Sequence, residues 1–300
     1  MTETTTSSTT IPERALEILK AAIPRRFRSD IPVVPVVRLT GIIGYSTPLR
    51  PGLTISSIAR SLERAFAVRN AKAVALAINS PGGSAVQSHL IFRRIRQLAE
   101  QHDRRVIAFV EDVAASGGYM IACAADEIIS DPSSIVGSIG VVGGAFGFTG
   151  LIEKLGIERR LYTSGEHKAM LDPFLPEKPD DVQRLKAIQS EIHETFMSLV
   201  KSRRTGISGP ESTLFSGEYW TGRRARELGL VDQLGDLRSI LRERYGEKVA
   251  TPLISADRGL FGRRIPGVGS FFDRVWQGPG LAEDVVSALE ARAYWSRYGL

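Results

Sequence analysis

Two strand-like runs that each lead into paired glycines constrain the fold of this 300-residue chain more than any other feature. Ala71-Lys-Ala-Val-Ala-Leu-Ala-Ile78 is almost unbroken apolar sequence, and Asn79-Ser-Pro-Gly82-Gly83-Ser84 follows it. Arg105-Val-Ile-Ala-Phe-Val110 is the second run, and the chain then passes through Glu-Asp-Val-Ala-Ala to Ser116-Gly117-Gly118. Short apolar runs of this kind read as strands buried on both faces, the habit of parallel sheets covered by helices. Parallel neighbours need a crossover, and helix-like sequence follows each glycine pair. Val86, Leu90, Ile91, Ile95 and Leu98 form a stripe at roughly helical spacing, and a small-residue helix follows Gly118. The two glycine turns are therefore expected at one carboxyl edge of a parallel sheet, where α/β proteins gather their sites.

That placement gives Ser116 its interest. A serine on a tight strand-to-helix turn is exposed and held, as in a nucleophile elbow, here Ala-x-Ser-x-Gly. The same small residues also let a helix pack close to a sheet, and Pro-Gly-Gly also serves as a plain sharp turn. A further polar stretch, Thr163-Ser-Gly-Glu-His-Lys168-Ala-Met-Leu-Asp-Pro-Phe174, follows Arg159-Arg-Leu-Tyr162, read as a short strand. A lysine drawn into an apolar cleft loses hydration, which disfavours the ammonium and frees the amine to act as a base. His167 stands beside Lys168. In an extended loop neighbouring side chains point opposite ways, so a lysine facing Ser116 would turn the histidine away.

Taken in order, Asn79-Ser-Pro-Gly-Gly83, Ala115-Ser-Gly-Gly-Tyr119, Gly137-Ser-Ile-Gly-Val141 and Gly165-Glu-His-Lys-Ala-Met-Leu-Asp-Pro-Phe174 resemble the signal peptide peptidase A family. Phe215-Ser-Gly-Glu-Tyr-Trp-Thr-Gly222, continuing to Asp232, is similar to the last motif of that family, and the resemblance spans residues 31–245. It implies an α/β fold of the Clp protease/crotonase kind, built of repeated β-β-α units with a mostly parallel sheet. It implies a serine peptidase with a Ser–Lys dyad: Ser116 as nucleophile, Lys168 as general base, Gly83 and Gly117 N–H groups as oxyanion hole, Ser138 orienting the lysine. It also implies a homo-oligomeric ring in which each site is shared between protomers. The expected substrates are cleaved signal peptides or other unfolded peptides. Two other readings stay open: a crotonase-like acyl-CoA enzyme on the same fold, and a non-catalytic scaffold that binds peptides or membranes.

Composition agrees with a globular enzyme, at 43% hydrophobic and 24% charged residues. The single cysteine, Cys123, falls in the small-residue helix and reads as buried and inert. No zinc-type spacing of Cys and His occurs, and Gly137–Gly150 lacks Gly-x-Gly-x-x-Gly, so no metal or cofactor is expected. The net charge of +6 comes partly from Arg25-Arg-Phe-Arg28, Lys201-Ser-Arg-Arg204 and Arg263-Arg264. Without aromatic-interleaved basic motifs it argues against nucleic acid and leaves two readings, a solvated surface or one that faces anionic lipid heads.

Three segments are expected. Residues 1–30 comprise a polar, disordered start and an amphipathic basic helix, residues 31–245 form the peptidase domain, and residues 246–300 form a tail with a short helix over Asp284–Arg292. The tail has three candidate places: on a neighbour, in a substrate groove or against a membrane. Pro179-Asp-Asp-Val182 opens a long helix with the stripe Val182, Leu185, Ile188, Ile192, Phe196 and Leu199, read as a packing or protomer-interface element. His89, His102 and His193 carry no signal of chemistry. No run of about 18 apolar residues occurs, so nothing in the sequence reads as a membrane span. The expected location is cytoplasmic, with at most peripheral contact with the inner membrane through the basic flanks.

Overall fold

A computed structural model describes residues 31–44, 52–255 and 292–299. The expected N-terminal basic helix and all but the last residue of the Asp284–Arg292 helix lie outside the described residues.

The sheet is organised around one long strand, β3 (Val106–Ala115). Val106 to Val110 is buried, as expected, but the strand runs on through Val113-Ala-Ala115 to the edge of the glycine turn. Its ten residues are long enough to serve different neighbours along their length. On one side it pairs in parallel with β2 (Val74–Ser80), which pairs in parallel with β1 (Val36–Thr40). On the other side its first half pairs with β4 (Glu127–Ser130) and its second half with β5 (Ile135–Gly137), both parallel. Two short strands complete the seven-stranded sheet: β6 (Tyr219–Thr221), antiparallel to β5, and β7 (Gln233–Leu234), parallel to β4. The mostly parallel α/β architecture expected from the sequence is therefore present.

Side chains alternate across the strands, and both faces are covered. Val74, Leu76 and Ile78 of β2 and Val106, Ala108 and Val110 of β3 enter one core, while Ala73, Ala75, Ala77, Ile107 and Phe109 enter the other. The first core is closed by α1 (Ile55–Phe66), α2 (Ala85–His102) and α3 (Gly117–Ala122), and by the end of α5 (Pro179–Arg203), which follows a short α4 (Thr149–Lys154). After α6 (Glu211–Leu214) and α7 (Gly222–Glu227), α8 (Leu237–Tyr245) covers the second core with Ile240 and Leu241. Each large aliphatic side chain removed from water here is worth about 1.5–3 kcal/mol.

Local signals start the helices. Thr54 and Ser57 form a capping box on α1, and the Ser84 hydroxyl accepts from Gln87 N–H at the start of α2. A bidentate pair between buried Arg204 and exposed Asp232, at 2.8 and 2.9 Å, ties the end of α5 to the chain before β7. Cys123 is buried as expected, and burial pushes its thiol pKa up to about 12.

Three expectations fail in detail. Val86 and Leu90 of α2 are exposed, so its buried aliphatic face begins only at Ile91. The packing alternative for the α5 stripe fails over its first half, since only Phe196, Leu199 and Val200 are buried apolar residues and Ile188 is exposed. Arg159–Tyr162 is not a strand: no strand lies beside it to take its hydrogen bonds, and Tyr162 is 91% exposed.

Candidate active site

Ser116 sits where β3 ends and α3 begins, with φ 52° and ψ −121°. A non-glycine residue rarely adopts a positive φ, and such strain is held only where the surroundings over-determine it. Here they do. Ser116 N–H donates to the Gly137 carbonyl at 2.8 Å, and its own carbonyl accepts from Met120 N–H at 3.0 Å. The backbone is thus fixed on both sides. The side chain makes no capping bond to α3, so the hydroxyl is left to the cleft.

The first glycine turn presses against this elbow. Loop residue Ile43 donates its N–H to the Gly82 carbonyl at 2.8 Å and accepts from Ser84 N–H at 2.8 Å. Gly83, between these bonds, has φ 139°, and a β-carbon there would collide with the Ile43 backbone. Gly117 faces Ser88, whose Oγ leaves no room for a side chain. Among the described residues neither Gly83 N–H nor Gly117 N–H has a backbone acceptor. The Gly137 turn supplies the third wall. Ser138 has φ 54°, and its N–H donates to the Glu218 carbonyl at 2.6 Å.

These residues meet in one cleft of about 480 Å³, whose lining includes Ser116, Gly83, Gly117 and Ser138. Four of the five residues singled out by the sequence are therefore brought together. Lys168 is not among them. It lies in a run of turns over residues 166–171, exposed to solvent, and does not line the cleft. The loop is not extended there, so the alternation argument that set His167 against Lys168 does not apply; both side chains are exposed.

Lys168 belongs to an arm that leaves the body after β5. The arm closes on itself through Phe148 stacked on Phe174 at 5.5 Å, Arg159 paired with Asp172 at 2.8 Å, and Phe148 N–H donating to the Pro173 carbonyl at 2.6 Å. Arg159 holds the Asp172 carboxyl below the usual carboxylate range, helped by the Phe174 N–H. The arm buries little against the body: α4 has no buried residue, and Phe146, Leu151, Leu155 and Ile157 are all exposed.

The cleft also holds residues that sequence reasoning passed over. His193 lines it from α5, with Nε2 3.2 Å from the Ile139 carbonyl oxygen. Ser216 and Gly217 line it from the loop before β6. A signal for His193 was present, since it adjoins Ile192 and lies one turn before buried Phe196. Among the described residues no cluster of His, Cys, Asp and Glu could hold a metal ion.

A mostly parallel α/β sheet with a strained serine at its carboxyl edge, opposite paired glycines, has the strand-turn-helix geometry of a nucleophile elbow. The profile of Peptidase family S49 matches residues 99–249. A chloroplastic serine protease, SPPA, of Arabidopsis thaliana is 34% identical over 211 residues, 68% of this chain and 31% of that protein. A protein named as a probable protease, SohB, of Buchnera aphidicola (Acyrthosiphon pisum subspecies) is 36% identical over 174 residues, 58% of this chain and 51% of its own length. A Brucella abortus protein named Na(+)/H(+) antiporter NhaA is 56% identical over 287 residues, 94% of this chain. The chain spans only 39% of that relative's length. The chain belongs to Peptidase family S49. No helix among the described residues is long and apolar enough to cross a membrane.

Proposed function

We propose that this chain is a serine endopeptidase that cleaves signal peptides or other unfolded peptides through an acyl-enzyme on Ser116. The observation that carries the reading is the Ser116 elbow, open to a cleft lined by Gly83, Gly117 and Ser138. Substrate lies extended beside the sheet edge, with its backbone paired and its side chains in alternate pockets. Ser116 Oγ attacks the carbonyl carbon while Lys168 Nζ takes the hydroxyl proton. Gly83 and Gly117 N–H groups receive the oxyanion, each donor worth roughly 3–4 kcal/mol. The C–N bond breaks, and the leaving amine takes the proton from Lys168. Water then attacks the ester, its proton passing to Lys168; the Oγ–C bond breaks, Ser116 Oγ takes the proton back from Lys168, and the acid product leaves.

The exposure of Lys168 and of the apolar arm supports a site completed by a second copy of the chain. In a closed ring each arm would deliver its lysine to a neighbour's Ser116, beside Ser138. The antiporter name stays with the Brucella proteins, of which the chain covers 39%. A fluorophosphonate probe tests the nucleophile. Intact mass should show one adduct per chain, absent from Ser116→Ala; an unlabelled wild-type chain would remove Ser116 from the mechanism.

A further inference from the structure

Residues 292–299 return to the Ser116 cleft. They form a short helical turn, and Tyr294, Arg297 and Tyr298 line the cleft beside Ser116, Gly83 and Ser138. The Tyr298 hydroxyl lies 3.4 Å from the Pro81 carbonyl oxygen and 3.4 Å from Ser138 Oγ. Its ring meets Tyr219 edge-on, with centroids 5.1 Å apart and planes at 69°, a favoured aromatic geometry. The Tyr219 hydroxyl donates to the Arg297 carbonyl at 3.1 Å. Pro81 belongs to the first glycine turn, Ser138 to the turn after β5 and Tyr219 to β6. The segment therefore reaches across the cleft and does not merely rest on its rim.

We propose that the C-terminal segment is a built-in occupant of the substrate cleft, with Tyr298 filling a niche for an aromatic side chain, so that substrate must displace it. The consequence for catalysis rests on the reading of Ser116 as nucleophile, whereas the occupancy stands on the contacts alone. The segment enters as a helical turn where substrate would lie as a strand, so its peptide bonds are not offered in the extended form that edge pairing requires. It is a plug and not a substrate. Tethering gives it a high effective concentration, and a competing peptide sees only the open fraction of molecules. Its aromatic anchor also marks the side chain that a displacing peptide would present.

The test uses the full chain in an inactive background. A fluorescently labelled unfolded peptide should bind Ser116→Ala/Tyr298→Ala about tenfold more tightly than Ser116→Ala, because loss of the anchor raises the open fraction. Tyr298→Phe keeps the ring against Tyr219 and should bind like the Ser116→Ala parent. A synthetic peptide with the sequence of residues 292–299 should compete for the vacated cleft, and the same peptide with Tyr298→Ala should not. With Ser116 intact, Tyr298→Ala should speed fluorophosphonate labelling by a similar factor. Equal peptide affinity with and without Tyr298 overturns the plug, whatever labelling shows. Tighter peptide binding with no labelling of either Ser116-containing chain keeps the plug and removes the nucleophile.

Discussion

Gly82 and Ser116 approach so closely that a β-carbon on the glycine would lie 2.8 Å from Ser116 Cβ. It would also stand 2.9 Å from the Ala115 carbonyl oxygen, and Gly82 has φ 101°. The first glycine turn is thus a wall against which the Ser116 turn is set. Gly82→Ala must move one turn away from the other. We expect kcat/KM on an unfolded peptide to fall about a hundredfold, the usual result of misplacing a reacting group by 1 Å. Wild-type activity in this variant would mean that the two turns are independent.

Ser116→Ala is expected to abolish hydrolysis with little change in thermal stability. The serine hydroxyl makes no capping bond to α3, so its removal leaves no backbone donor newly unsatisfied. The melting midpoint and the sedimentation profile check the second half of this statement, and a peptide-cleavage assay checks the first. Substantial residual cleavage would move the nucleophile elsewhere.

Three basic side chains compete for the role of base. Lys168→Ala should be inactive, and Lys168→Arg should fail with it, because a guanidinium stays protonated. His167→Ala should retain most activity. His193→Ala should lose activity only partly, since its Nε2 is engaged with the Ile139 carbonyl beside Ser138. A dead His193→Ala chain together with an active Lys168→Ala chain would transfer the base to the histidine.

What the sequence could show followed from how local each cause is. Ser116 and Gly83 lie on tight turns after apolar runs, a local pattern that stands out in the sequence itself, whereas Gly117 and Ser138 are singled out through the family resemblance. The burial of Ala73–Ile78 was legible for the same reason, since a strand covered on both faces must be apolar throughout. Arg159–Tyr162 misled because two adjacent apolar side chains, Leu161 and Tyr162, do not say what would cover them, and both are exposed. The same holds for the exposed half of the α5 stripe at Ile188. Tyr298 could not be placed at all, because its contacts to Pro81 and Ser138 span long stretches of chain and follow no period.

Asp236 offers a test of stability that is separate from the site. Its carboxylate caps α8, accepting from Arg238 N–H at 2.9 Å and Ser239 N–H at 3.0 Å. Hydrogen bonding, first with Ser239, holds its pKa below the usual carboxylate value. A depressed folded pKa means stability that is present above the unfolded value and lost as pH falls through the folded one. Asp236→Ala should therefore cost about 1 kcal/mol at neutral pH. The difference between the two chains should shrink on acidification below roughly pH 4. Parallel denaturant curves at both pH values check it, and an unchanged difference at low pH would deny the charged cap.

The separation of Ser116 from Lys168 within one chain leads to the most demanding test of the proposed ring. If each site draws its serine from one protomer and its lysine from the next, Ser116→Ala chains and Lys168→Ala chains are each dead alone. After subunit exchange, some interfaces pair an intact serine with an intact lysine. For random mixing of equal amounts, about a quarter of the interfaces would be restored, as expected for heterologous head-to-tail contacts. Exchange must be verified independently, for example by energy transfer between labelled chains. The exposed residues Leu151, Leu155 and Ile157 on the arm are expected to mediate the contact. Leu155→Asp should lower the sedimentation coefficient and activity together, because burying an unpaired carboxylate in an interface is costly. No recovery after proven exchange, or full activity in a monomer, would reject the shared site.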